Sequence, residues 1–181
     1  MKRRDFIGSA ALAALLPLVG GGSALAATRG RLLPVPLNPG DTVGLVSPSS
    51  ATAGRLGLQL AGEVMQALGF KVKTGPHYAS RYGGLAGTDA ERAGDVNAMF
   101  ADESVNAVIC LRGGSGAARL LPLLDYDAIR ANPKVLMGFS DTTISLTAFL
   151  NAGVVAFHGP AFMTDLAENG GIVPAVEHSI R

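Results

Sequence analysis

Apolar residues in this chain occur mainly in short runs without polar alternation, and amphipathic stretches separate these runs. Such runs are typical of strands that are buried on both faces of a sheet. They predict five strands, at Thr42–Ser47, Phe70–Thr74, Val105–Leu111, Lys134–Met137 and Val154–Phe157.

The stretches between the runs have helical features. Leu56, Leu60 and Val64 recur every four residues and predict a helix over 55–68, which Gly69 ends. Thr88 and Glu91 have the spacing of a capping box, which begins a helix that runs to about Phe100. Two more helices are predicted, at Ala117–Leu124, where Pro122 shortens or ends the helix, and at Thr142–Asn151. Alternating strands and helices predict an α/β fold, a doubly wound and mainly parallel sheet with flanking helices.

The first 26 residues have the organisation of an export signal. Lys2, Arg3 and Arg4 precede an apolar run, and Ala24-Leu25-Ala26 resembles a cleavage site. The arginine pair favours twin-arginine export over the general secretory route, which stays open. The apolar run is too short for a stable membrane span. We therefore expect an exported or periplasmic protein, with a linker over residues 27–40.

Composition limits the classes of partner. The signal carries three bases and one acid, so the other 155 residues have a net charge of −1. A net charge this close to zero does not favour electrostatic binding to nucleic acid or to a membrane surface. Cys110 is the only cysteine and lies in an apolar run, so we expect a buried thiol rather than a reactive one.

Three loops rich in glycine or serine follow predicted strands, at Ser47–Ser50, Arg112–Gly116 and Gly138–Asp141. Parallel sheets place ligand sites at the carboxyl ends of their strands. In the third loop, Ser140 stands between a strand and a helix, as in a nucleophile elbow, although Thr142 replaces the usual trailing glycine. The alternative is a serine that only caps the next helix.

The glycine loop allows three interpretations. It resembles a dinucleotide loop, but Arg119 stands where glycine or alanine is required, and no acidic residue closes a plausible following strand to bind a ribose. Ser115 could be a rival nucleophile. The interpretation that fits best is an oxyanion hole made from loop N–H groups beside Ser140.

A serine nucleophile needs a general base, usually histidine. His158 ends a predicted strand and could face Ser140, or it is a structural loop residue. His77 and His178 have no local support, and no histidine or cysteine pair has the spacing of metal ligands.

The chain resembles a known family in five segments, which match in order over residues 35–163: Pro39–Ser49, Ala86–Arg92, Arg112–Leu121, Gly138–Thr143 and Phe157–Pro160. The segments are similar to those of the LD-carboxypeptidases, peptidase family S66, which includes the microcin-immunity peptidases. The resemblance implies a class I glutamine amidotransferase-like or flavodoxin-like N-terminal domain, here residues 41–165.

The resemblance also implies an activity. Family members release terminal D-alanine from murein tetrapeptides, cleaving after the L-centre of a diamino acid, with a Ser-His-Glu triad and neither metal nor cofactor. Carried over, Ser140 is the nucleophile, and the N–H groups of Gly114 and Asp141 hold the oxyanion. Ser115 replaces a tyrosine that is common in the family.

The family's glutamate and histidine lie in a second, C-terminal domain, so His158 is not the family's base. We expect residues 166–181 to begin the interdomain linker and the second domain to be absent, which would leave this chain inactive alone. Two alternatives stay open, a non-catalytic module that binds cell-wall peptides and a microcin-immunity-type peptidase. The expected partner is a murein peptide, and homodimer formation is left open.

Overall fold

The computed structural model describes residues 30–167 and contains a five-stranded, all-parallel sheet. Its strands are β1 (Thr42–Val46), β2 (Lys71–Thr74), β3 (Ala107–Cys110), β4 (Val135–Gly138) and β5 (Phe157–His158). Their spatial order is β2-β1-β3-β4-β5, which is the flavodoxin-like order. The predicted α/β class and parallel sheet are confirmed.

Helices connect the strands, at α1 (Gly54–Ala67), α2 (Asp89–Ala101), α3 (Tyr126–Ala131) and α4 (Thr143–Asn151). Short 3₁₀ segments occupy Ala117–Leu123 and Ser140–Thr142, and a π-helical turn covers Phe162–Leu166. In this part of the chain, no helix combines the length and apolar character that a membrane crossing needs.

The sheet is covered on both faces, and apart from Thr42 its interior strands β1, β3 and β4 have no polar side chain other than the Cys110 thiol. Val43 and Leu45 pack in one cluster with residues of α1, such as Met65. Val46 points the other way and packs with Phe100 of α2 and Phe149 of α4. This two-sided burial is the physical reason that β1 lacks polar alternation.

Several local predictions are confirmed. The side chain of Thr88 accepts a hydrogen bond from the Glu91 amide, and the Glu91 carboxylate accepts one from the Thr88 amide, so α2 begins with the expected capping box. The helix predicted at Ala117–Leu124 is a 3₁₀ segment that contains Pro122, whose ring would clash with the carbonyl four residues earlier in an α-helix.

The strand predicted at Val154–Phe157 is wrong in its bounds. Val154 is buried, but it bridges to Leu32 from the segment before β1 rather than to β4. Only Phe157 and His158 pair with β4. The missed helix α3 has a single buried apolar residue, Ile129, and so carries almost no periodic signal.

Candidate functional site

Ser140 lies at the turn between β4 and α4, and its side chain is exposed. Its φ of +58° makes it the only non-glycine residue with positive φ in residues 30–167. Such a conformation costs about 1–3 kcal/mol and persists only where surrounding contacts enforce it. Gly138 is needed beside it, because a Cβ there would overlap the Thr142 side chain, whose hydroxyl donates to the Phe139 carbonyl at 2.9 Å.

The Ser140 hydroxyl makes no hydrogen bond to the described part of the chain, and the N-terminus of α4 has no side-chain cap. The alternative of a serine that only caps a helix therefore has no support in the geometry. The backbone instead has the strained strand-to-helix turn of a nucleophile elbow.

The glycine loop Arg112–Gly116 lies directly against this elbow. A Cβ built on Gly113 would come within 2.7 Å of the Ser140 Cβ and 3.0 Å of the Asp141 amide nitrogen. Gly114 has a φ of +118°, and a Cβ there would lie 2.5 Å from the Ser50 Cβ. Glycine at both positions lets the loop backbone approach the serine loop on one side and the elbow on the other.

Two backbone N–H groups at this junction have no acceptor in the described part of the chain. Within residues 30–167, neither the Gly114 amide nor the Asp141 amide donates to a protein acceptor. Amides beside an exposed hydroxyl can stabilise the negative charge of a tetrahedral intermediate. The structure thus places the glycine loop, which contains Gly114, directly against Ser140 and Asp141.

The carboxylate of Asp141 joins the three loops. One of its oxygens accepts hydrogen bonds from the hydroxyl of Ser49 and, at 2.9 Å, from the amide of Ala117. Ser49 is fully buried in the loop after β1, and Ala117 follows the glycine loop. Sequence reasoning missed this role, because its partners are 92 and 24 residues away.

Arg92 of α2 supports the same loops from the interior. Its side chain is fully buried and is paired with Asp89. The guanidinium donates to the carbonyls of Pro48, Gly87 and Gly116, which belong to three separate loops. A buried cation is stable here because the guanidinium makes four hydrogen bonds, one of them to the Asp89 carboxylate. The matched motif Ala86–Arg92 contains this residue, but no local pattern indicates its contacts.

The histidines make other contacts. The ring of His158 packs against Phe139 with centroids 5.1 Å apart. His77 is paired with the buried Asp95, at 2.9 Å from Nδ1 to the carboxylate. Neither hydrogen-bonds to Ser140, and His178 lies outside the described residues.

Cys110 is buried, as predicted, and burial raises the pKa of its thiol to about 12. Arg119, which occupies the position where a dinucleotide-binding loop requires glycine or alanine, forms an ion pair with Asp89 at 2.7 Å. Among the described side chains, no group of three or more His, Cys, Asp or Glu residues could hold a metal ion.

The sequence profile of the LD-carboxypeptidase N-terminal domain, peptidase S66, matches residues 43–159. The chain is 42% identical over 134 residues to the probable murein peptide carboxypeptidase of Bacillus subtilis, and the match covers 74% of this chain and 42% of that protein. It is 40% identical over 119 residues to the murein tetrapeptide carboxypeptidase of Pseudomonas aeruginosa, covering 65% of this chain and 38% of that protein.

The fold is also similar to the solved structure of microcin C7 self-immunity protein MccF in complex with aspartyl sulfamoyl adenosine. The TM-score is 0.77 at 34% identity, and the match covers 82% of this chain and 45% of that one. The chain thus spans less than half the length of these relatives.

Proposed function

Because this chain belongs to the LD-carboxypeptidase family, peptidase family S66, we propose that it supplies the nucleophile domain of a serine carboxypeptidase. Ser140 attacks the carbonyl carbon of the scissile peptide bond, and the amides of Gly114 and Asp141 receive the charge of the carbonyl oxygen. The terminal residue leaves as a free amino acid, and water then releases the acyl group from Ser140. The observation that carries this proposal is the exposed, strained serine in contact with the glycine loop.

The proposed substrate is a murein tetrapeptide, and the leaving residue is D-alanine. Two relatives, at 42% and 40% identity, bear names that refer to murein peptides. The matched region contains the elbow and the glycine loop, which are the parts that would touch the reacting carbonyl.

The general base would come from the family's second domain. In residues 30–167 neither histidine hydrogen-bonds to Ser140. Loss of a triad partner costs on the order of 10⁴ in kcat. A polypeptide of these 181 residues alone should therefore release D-alanine at a rate close to background, and substantial release by that polypeptide would contradict the proposed source of the base.

A chimera tests the role of Ser140. Residues 30–167 would replace the matching part of the Bacillus subtilis relative, whose remaining chain provides the rest of the enzyme. We expect the chimera to release D-alanine from murein tetrapeptide, Ser140→Ala to abolish release, and Ser115→Ala to retain it. A folded chimera without activity, or an active Ser140→Ala chimera, would refute the assignment.

Two further functions use the same site. Similarity to the MccF complex favours a peptidase that acts on aminoacyl sulfamoyl nucleotides. Supplying aspartyl sulfamoyl adenosine to the chimera in place of the tetrapeptide tests this substrate. A non-catalytic wall-peptide module would instead bind tetrapeptide with equal affinity in the wild-type and Ser140→Ala chimeras, and neither would release D-alanine.

The proposed location is outside the cytoplasmic membrane, by twin-arginine export. Residues 1–26 carry this prediction and lie outside the described residues. A reporter fused after Ala26 should reach the periplasm of a bacterial host. Changing Arg3 and Arg4 together to lysine should block its export, whereas Lys2→Ala should not. Unchanged export of the lysine pair would favour the general secretory route.

A further inference from the structure

The two proposed oxyanion donors belong to different loops, so their spacing depends on whatever holds the loops together. The Asp141 amide is part of the elbow, and the Gly114 amide is part of the glycine loop. These amides are separated by 27 positions in the chain and are not hydrogen-bonded to each other. A donor pair is effective only when both groups point at one oxygen.

The glycine loop is held on both sides of Gly114. Before it, the Gly113 carbonyl accepts from the Ser50 amide, and after it, the Ser115 amide donates to the Ser50 hydroxyl at 3.2 Å. Two residues further on, the Ala117 amide donates to the Asp141 carboxylate at 2.9 Å. Gly114 therefore lies within a segment whose position is set by the serine loop and by Asp141.

The serine loop is itself tied to Asp141. Ser49, the neighbour of Ser50, donates its hydroxyl to the same carboxylate oxygen that accepts from Ala117. Ser49 is fully buried, with 0% of its surface accessible, so its hydroxyl depends on Asp141 for an acceptor. The hydrogen bonds that hold the glycine loop on both sides of Gly114 thus depend on Asp141, whose own amide is the other proposed oxyanion donor.

We propose that the Asp141 carboxylate is a positioning residue that fixes the Gly114 amide relative to the Asp141 amide. This inference rests on the proposed function, and it assigns a role to the side chain, whereas the family resemblance implies one only for the backbone. Hydrogen bonds to an ionised acceptor are shorter and stronger than those between neutral groups, which suits a group that must hold two loops.

The variants separate positioning from general stability. Asp141→Ala removes the acceptor of both loops, whereas Asp141→Asn retains an oxygen that can accept from Ser49 and Ala117. Asp125→Ala is the matched control, because Asp125 also accepts from a backbone amide, that of Ala128 at 2.9 Å, but its partners lie outside the three loops.

The probe is N-acetyl-L-boroalanine, whose boron forms a tetrahedral adduct with a serine hydroxyl and so resembles the transition state. Its affinity for the full chain would be measured by ¹¹B NMR. We expect Asp141→Ala to weaken the adduct by about tenfold or more, since loss of one oxyanion donor costs on the order of 10² in rate. Asp141→Asn should stay within about threefold of the wild type, and Asp125→Ala should bind as the wild type does.

The chain alone lacks the general base proposed to activate Ser140, so a second measurement tests the inference if the wild-type chain forms no adduct. In ¹H–¹⁵N spectra, the Gly114 and Ala117 amide signals should shift in Asp141→Ala and return towards their wild-type positions in Asp141→Asn. An unmoved Gly114 signal in Asp141→Ala would overturn the inference. Equal weakening of the adduct by Asp125→Ala would do the same.

Discussion

The contact between the glycine loop and the elbow can be tested by adding one methyl group. In Gly113→Ala the new Cβ would lie 2.7 Å from the Ser140 Cβ and 3.0 Å from both the Asp141 nitrogen and the Phe139 carbonyl oxygen. None of these atoms can rotate away, because they are backbone atoms or a Cβ. Carbon atoms pack at about 3.5 Å or more, so the loop and the elbow must separate by roughly 0.8 Å.

The expected loss of stability follows from this overlap. Gly113 has no positive φ, so alanine brings steric cost without backbone strain. Overpacking of this kind costs about 1–3 kcal/mol. A displacement approaching 1 Å at a reacting group can also lower the rate by about 10²-fold, so the chimera carrying Gly113→Ala should lose most of its D-alanine release.

Urea unfolding followed by circular dichroism measures the first effect, with Gly94→Ala as the matched control. Gly94 lies within α2, and a Cβ there meets nothing within 4 Å. Alanine in a helix interior is favoured over glycine by about 0.5–1 kcal/mol, so the control should be more stable than the wild type. If Gly113→Ala unfolds within about 0.5 kcal/mol of the wild type, the reasoning from the close contact is refuted.

Three other experiments have defined outcomes. Ser140→Gly should be more stable than Ser140→Ala by about 1 kcal/mol in urea unfolding, because glycine relieves the positive φ and alanine does not; equal stability would argue against the strained turn. Thr88→Ala should cost about 1 kcal/mol through loss of the cap. Hydrogen bonds from the Thr88 backbone and side chain lower the pKa of Glu91, so the ionised carboxylate stabilises the fold above its ordinary pKa and this stabilisation is lost as the pH falls through the lowered pKa of the folded state. The difference in unfolding free energy between Thr88→Ala and the wild type should therefore narrow in acid. A difference that does not change with pH would contradict this account. Cys110, whose thiol pKa burial raises to about 12, should resist iodoacetamide at pH 8 until urea unfolds the chain, and rapid labelling of the folded protein would contradict its burial.

The sequence predicts the parts of the fold that local chemistry determines. Strand β1 can be predicted from its apolar run because both of its faces are buried. The cap formed by Thr88 and Glu91 can be predicted because the two residues are three positions apart. The elbow at Ser140 is readable for the same reason, since a glycine, a serine and a helix start lie close together in the chain.

The remaining features depend on contacts between distant segments. The apolar pattern predicts that Val154 pairs with β4, but it pairs with Leu32. The pattern of apolar residues does not indicate which segment a strand residue pairs with. The Asp141 carboxylate and the Arg92 guanidinium each join loops that are far apart in sequence. Their residue types are visible in the sequence, but their partners emerge only when the strands are side by side.

The sheet order has a consequence for the timing of folding. β1 lies between β2 and the distant β3, and the link from Ser49 to Asp141 joins residues that are 92 positions apart. Pairings this remote in sequence form slowly, because the entropy of closing the loop is lost before the contact is gained. A nascent or partly collapsed chain that has not yet docked β4 would therefore hold Ser140 apart from the Gly114 amide of the glycine loop. The arrangement of Ser140 beside the glycine loop would therefore form late in folding, together with the native strand order.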